Sequence, residues 1–157
     1  MGKTWNDYAS VPLRVLLGFG FAYHGFPKLF SSQGHAGFVV MLQNIGVPAA
    51  GLASWLVGIL EFFGGLLLIA GAFVTIISVL GIINMLVAMF TVHLPNGFNF
   101  LNITGMTEAG PTFGMPGYEV NILYIAGFLA LALAGAGALS VDRWLSERRG
   151  MGHSPAM

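Results

Sequence analysis

The chain has 157 residues, of which 56% are hydrophobic and only 8% charged, with six Lys plus Arg against six Asp plus Glu. So little charge cannot cover a water-exposed surface, since soluble domains carry about a quarter charged residues, and an integral membrane protein is the leading class. With no basic run to follow a phosphate backbone, nucleic acid is excluded as a partner; with no cysteine, disulfides, thiolate catalysis and Cys-ligated metal clusters are excluded too.

Residues 1–10 are short and polar. The first apolar run then continues through Phe19, Phe21, Tyr23 and Phe26, bulky residues that suit a retained helix rather than a cleaved leader. The predicted first span is about 11–30, near the ~20 residues a bilayer needs. At about 100° per residue, Arg14, Gly18, Phe21, Gly25 and Lys28 form one stripe with His24 on its edge. Lipid cannot host these cations, so the stripe is expected to face other helices, with snorkelling of Arg14 and Lys28 to headgroups as the plainer reading. Pro27 is expected to free a carbonyl near residue 23.

Residues 31–51 are too polar and too broken by Gly34, Gly37, Gly46 and Pro48 to span. Their centre reads as a short amphipathic helix at the interface, with Phe38, Met41, Leu42 and Ile45 turned downward. His35 reads as an interfacial surface residue.

The second span, about 52–72, carries one ionisable group, Glu61, near its middle. A carboxylate there costs about 2.5 kcal/mol or more to insert unless other groups compensate it. Ser54, Gly58, Glu61, Gly65 and Leu68 share a face, and the small residues allow close helix contact. A third span, about 73–94, puts Gly81, Asn84, Ala88 and Thr91 on one side. His93 ends it; an ideal helix puts this residue opposite Asn84, but Pro95 follows and disturbs the direction.

Residues 95–118 read as a long loop rich in Gly, Pro, Asn and Thr, with Phe98, Phe100, Phe113 and Tyr118 suited to an interface or a lid. Asn102-Ile103-Thr104 matches a glycosylation sequon, a match that chance explains. The fourth span is predicted at about 119–140, its Gly and Ala suited to tight packing. A polar tail, 141–157, follows, with Trp144 as an interface anchor and His153 in a disordered end.

Lys3, Arg14, Arg143, Arg148 and Arg149 fall with the termini, and only Lys28 lies at the other side. Positive charge favours the cytoplasm, so both termini are predicted inside and both long loops outside. The fold class that results is an all-α integral membrane four-helix bundle, forming a single domain over 1–157. Depth along the spans then gathers His24, Lys28, Glu61, Asn84, His93 and Glu119 into a candidate polar pocket in the outer half of the membrane. Glu61 and His24 are the candidates for proton handling, and protonated His24 or Lys28 would keep Glu61 ionised. The same network also suits a merely structural role in fixing helix register. His24 and His93 have the placement of two haem ligands, although an ordinary hydrogen-bonded histidine is the commoner case. No metal site, phosphate loop, dinucleotide fingerprint or nucleophile elbow is present.

The order of motifs resembles the DoxX family of small four-helix bacterial membrane proteins. The resemblance rests on Arg14 with His24-Gly25-Phe26-Pro27-Lys28, and on Glu61-Phe62-Phe63-Gly64-Gly65. It continues in His93 with Gly97-Phe98, in Gly117-Tyr118-Glu119, and in Gly135, Gly137 and Ser140-Val141-Asp142. It implies an inner-membrane subunit of a redox system. A related family is the large subunit of an archaeal thiosulfate:quinone oxidoreductase, and mycobacterial members are linked to a complex handling oxidative and thiol stress. Without cysteine, direct sulfur transfer does not suit this chain, and a quinone head arriving laterally in the bilayer fits its protonatable groups better. The competing expectations are a non-catalytic scaffold that docks a protein partner, or another copy, through its outer loops, and a small proton-coupled carrier. Convincing inverted repeats, which would favour the carrier, are not seen.

Overall fold

The computed structural model describes residues 5–151, with side chains from Asp7 to Arg148. Lys3 and His153, and the side chain of Arg149, lie outside the described residues. The chain is mostly helical: α1 Trp5–Tyr8, α2 Ser10–Phe30, α3 Ser32–Asn44, α4 Ala50–Ala70, α5 Val74–Ala88, α6 Glu119–Ala134 and α7 Val141–Met151. A π-helical turn, Met89–His93, and a 3-10 turn, Leu94–Asn96, prolong α5. By length and composition, Ala50–Ala70 and Val74–Asn96 are long and apolar enough to cross a membrane. α2 equals α4 in length but carries Arg14, His24 and Lys28.

Two expectations are corrected. The fourth helix stops at Ala134 rather than near Ser140, because the chain turns through left-handed conformations at Gly135, Gly137 and Leu139. Its 16 residues reach about 24 Å at ~1.5 Å per residue, short of a ~30 Å hydrocarbon core. The second correction concerns the all-α class. Inside 95–118 lies an antiparallel hairpin of β1 Ile103–Thr107 and β2 Gly110–Phe113. β-branched Ile103, Thr104, Thr107 and Thr112 favour extended backbone. Thr107 Oγ1 closes the turn by donating to Gly110 O at 2.9 Å.

α2 packs along α4 through glycines. A Cβ on Gly18 would stand 2.6 Å from Gly65 O, and one on Gly65 would stand 2.6 Å from Ala22 N, so only hydrogen at these positions permits the approach. Gly81 of α5 receives the Phe128 ring of α6, where a Cβ would lie 2.8 Å from a ring carbon. The core joins these helices through Leu17, Phe21, Leu68, Val74, Ile77, Phe128 and Leu131. Phe21 meets Phe128 edge to face at 4.7 Å, a favoured aromatic geometry.

The end of the molecule that holds the α4–α5 turn is tied by polar groups. Gly71 takes φ 72°, closing α4 with Ala72 N donating to Leu67 O at 2.8 Å, the six-to-one bond of a Schellman stop. α5 has no capping side chain of its own. Asp142, from α7, accepts instead from Phe73 N at 2.9 Å and Val74 N at 3.0 Å. Arg14 is 1% exposed and donates to Ala138 O at 3.1 Å and Leu139 O at 3.2 Å. Arg14 therefore neither snorkels nor joins the distant pocket; it fastens α2 to the α6–α7 linker. Arg143 reaches Glu147 at 3.0 Å and Asp7 at 3.5 Å, and the Glu147 hydrogen bond holds its guanidinium above the usual value.

Candidate functional site

The five residues of the α4 stripe, Ser54, Gly58, Glu61, Gly65 and Leu68, are all buried along the helix. Glu61 is 5% exposed. Its Oε2 accepts from Lys28 Nζ of α2 and its Oε1 from Asn84 Nδ2 of α5 at 3.1 Å. Both carboxylate oxygens are thus satisfied by neighbouring helices, as a charge away from water requires. Lys28 also lies 4.6 Å from the centre of the Phe38 ring, within cation–π range.

These groups form part of the wall of a cavity of about 410 Å³. α2 contributes Phe21, His24 and Lys28; α4 contributes Val57 and Glu61. α5 and its π turn supply Asn84, Met85, Thr91 and His93, the hairpin loop supplies Phe100, Met115 and Pro116, and α6 supplies Asn121 and Tyr124. Phe38, Met41, Leu42 and Ile45 of α3 line it as well. The apolar face of α3 is thus turned to the cavity, where the sequence suggested lipid.

His93 reaches the cavity through the π turn. Pro95 has no N–H to return to the carbonyl of Thr91. Thr91 Oγ1 binds Val87 O at 2.7 Å and Asn96 Nδ2 binds Val92 O at 2.8 Å. The i→i+5 pattern that results departs from the ideal direction, and His93 lines the same cavity as Asn84. His93 Nδ1 lies 2.8 Å from Pro116 O, which ties helix to loop.

The remaining expected residues divide. His24 lines the cavity from an exposed position and makes no hydrogen bond among the described residues; its ring stands edge-on to Tyr23 at 5.7 Å. Lys28 and Asn84, not His24, are therefore the partners of Glu61. Glu119 lies outside the cavity. Its Oε2 accepts from Phe100 N at 3.0 Å and it borders a separate groove with Leu101 and Leu123. His35, expected on the surface, is half-buried: Nδ1 lies 3.0 Å from Lys28 O and 3.1 Å from Ser54 Oγ, and the ring is 4.5 Å from Trp55. It pins α3 to α2 and α4.

Asn121 and Tyr124 belong to the cavity and were not singled out in the sequence. Their signal was a stripe on α6, Asn121, Tyr124, Phe128 and Leu131, at spacings of three and four. Phe128 and Leu131 are fully buried, and Asn121 is 5% exposed.

The DoxX family model matches residues 9–94 of the chain. The inner membrane protein YqjF of Escherichia coli K12 is 29% identical over 146 residues, covering 93% of this chain and 98% of that protein. The inner membrane protein YphA of the same organism is 30% identical over 123 residues, covering 78% and 80%. No solved structure matches the chain. Together with the two long apolar helices, these relationships make the protein a multi-pass protein of the bacterial inner membrane, in contact with the lipid bilayer.

Proposed function

The chain belongs to the DoxX family, and from that premise we propose that it is a membrane subunit of a redox complex whose outer-leaflet cavity holds the head of a quinone. The observation that carries this reading is a buried carboxylate, braced by Lys28 and Asn84, in the wall of a cavity of about 410 Å³ with aromatic and aliphatic sides. That volume falls in the range of small-molecule sites, about 300–1,000 Å³. Glu61, Lys28, Asn84, His24 and His93 all fall inside the stretch that matches the family.

On this reading α2, α4, α5 with its prolongation, and α6 form a four-span bundle and a single membrane domain. Both termini are cytoplasmic, and residues 31–51 and 95–118 lie outside, because Arg14, Arg143 and Arg148 share one end while Lys28 stands at the other. Lys28 and Asn84 position the Glu61 carboxylate; Glu61 and His24 exchange protons with the ligand oxygens. The chain has no cysteine, and the electron-carrying centre belongs to a partner subunit.

The test is Glu61→Gln, scored as quinone-dependent electron transfer in isolated membranes against the amount of protein present. General acid–base groups contribute about 10²–10⁴-fold, so turnover falls by at least about 100-fold per amount of protein. Unchanged turnover removes the proposal. A second reading, a scaffold that docks a protein partner, is favoured by one observation: the hairpin region exposes Ile103, Met106, Phe113 and Met115. In that case deleting part of 98–116 abolishes co-purification of the partner while Glu61→Gln leaves it intact.

A further inference from the structure

Close contact seals part of the seam between α2 and α6, which run antiparallel. A Cβ on Gly127 would stand 2.9 Å from Leu17 Cδ1, and one on Gly20 would overlap the Tyr124 hydroxyl. The Phe21 and Tyr124 rings stack at 5.9 Å. A step of four residues along each helix, toward the hairpin, brings His24 opposite Val120. Both line the cavity, yet His24 is exposed and Val120 only half-buried. The seam that Gly20 and Tyr124 shut is therefore open one turn further on, and the cavity reaches the surface there.

The groove that Glu119 borders begins at this opening. Phe100 and Val120 belong to its wall and to the wall of the cavity, so these two side chains form a sill between the spaces. Beyond the sill the groove is walled by Leu101 and Leu123, both exposed, a surface suited to lipid rather than water. The backbone of the sill is strapped in place. Gly117 N donates to Asn99 O at 3.0 Å, Tyr118 N to Gly97 O at 3.1 Å and Glu119 N to Phe98 O at 3.0 Å. Only hydrogen fits at Gly117, where a Cβ would stand 2.7 Å from Asn99 O. Phe100 N is held in turn by the Glu119 carboxylate. The exposed Phe100 ring is left to change rotamer on the fast time scale of surface side chains.

We infer that the gap between His24 and Val120 is a lateral portal, and that the groove carries the apolar chain of an amphiphilic ligand whose head lies in the cavity. The inference rests on the quinone-type reading of that head and adds what the head must bear: an alkyl or prenyl chain on the side facing Phe100. A chain passing from lipid into the groove gains little energy, because hydrocarbon surrounds it either way. The groove therefore orients the ligand more than it tightens binding, and the test reads where the chain lies.

The full-length protein is placed in liposomes with a photoreactive probe, 2,3-dimethoxy-5-methyl-1,4-benzoquinone bearing a decyl chain with a diazirine a few carbons from the ring. The competitor, 2,3-dimethoxy-5,6-dimethyl-1,4-benzoquinone, has the ring and no long chain. Mass spectrometry of peptides maps the label after illumination. Label is expected on residues 99–101 and 119–123, and competitor at about ten times its own Kd lowers it by about 10-fold. Leu123→Trp fills the groove and lowers the competed label there by a similar factor, whereas Leu133→Trp, exposed near the other end of α6, leaves it. Competed label on other residues, with none in the groove, overturns the portal while the quinone-type site stands. Label that the competitor reduces nowhere overturns the head site and the portal with it. The wild-type map decides among these outcomes even where Leu123→Trp does not fold.

Discussion

Gly25 lies against the backbone of Glu61, one turn before Lys28 reaches the Glu61 carboxylate. A Cβ at residue 25 would stand 2.9 Å from both the carbonyl carbon and the Cβ of Glu61. Close helix approach and ion pairing are therefore one device: the side chain that is missing at 25 lets the cation at 28 meet its partner. Gly25→Ala forces the helices apart and costs about 1–3 kcal/mol as overpacking, read as a lower unfolding midpoint in detergent. Gly37 is the control. A Cβ there meets nothing within 4 Å, and Gly37→Ala in α3 is stabilising by about 0.5–1 kcal/mol.

The Lys28–Glu61 pair is asymmetric under mutation. Lys28→Met leaves a buried carboxylate with only the Asn84 amide, and removing one member of such a pair costs about 3–5 kcal/mol. Lys28→Met combined with Glu61→Met removes the unpaired charge and recovers most of that loss. A double-mutant cycle on the midpoint of unfolding in a denaturing detergent measures the coupling. A double variant damaged as much as the sum of the singles would show that the two charges do not act as a pair.

Much of this site was legible because insertion energy and helix geometry act locally. A carboxylate within a span demands partners, and a turn of about 100° per residue picks out which residues of α2, α4 and α5 face one another. These two facts put His24, Lys28 and Asn84 forward as partners of Glu61; the hydrogen bonds then select Lys28 and Asn84. The other elements depend on competing bonds that periodicity does not register. The π turn that redirects His93 arises from the missing N–H of Pro95 and the Thr91 and Asn96 side chains. The β1–β2 hairpin needs strands that pair only once both exist, within a Gly-rich stretch whose composition reads as irregular. The early end of α6 depends on positive φ at Gly135 and Gly137 within a run that otherwise suits a helix. Glu119, at the expected depth, is drawn instead to Phe100 N by the loop that folds over it.

Asp142 caps a helix 68 residues away in sequence, with one oxygen on Phe73 N and the other on Val74 N. Phe73 holds φ 53° there, a conformation that the two bonds help to retain. Asp142→Ala removes both acceptors and lowers stability by about 0.5–2 kcal/mol, the usual cost of losing an N-cap. Asp142→Asn retains an acceptor and costs less. Thermal unfolding of the purified variants ranks the two, and equal losses would assign the effect to the charge of Asp142, close to Arg14, rather than to the cap.

The proposed orientation is open to a direct labelling test because the chain contains no cysteine. Met106, 75% exposed on the hairpin, and Leu145, 38% exposed on α7, mark opposite ends of the molecule. The end near Leu145 carries Arg143 and Arg148, and cations flanking membrane spans are retained on the cytoplasmic side. A membrane-impermeant maleimide added to intact spheroplasts is expected to label Met106→Cys and to label Leu145→Cys only after permeabilisation. The reverse pattern would place the Glu61 cavity in the inner leaflet. Quinone exchange would then occur on the cytoplasmic face, and the exposed hairpin would meet cytoplasmic rather than periplasmic partners. The arrangement of charges argues against this, since inversion would move every cation of the α7 end outside and leave Lys28 alone within.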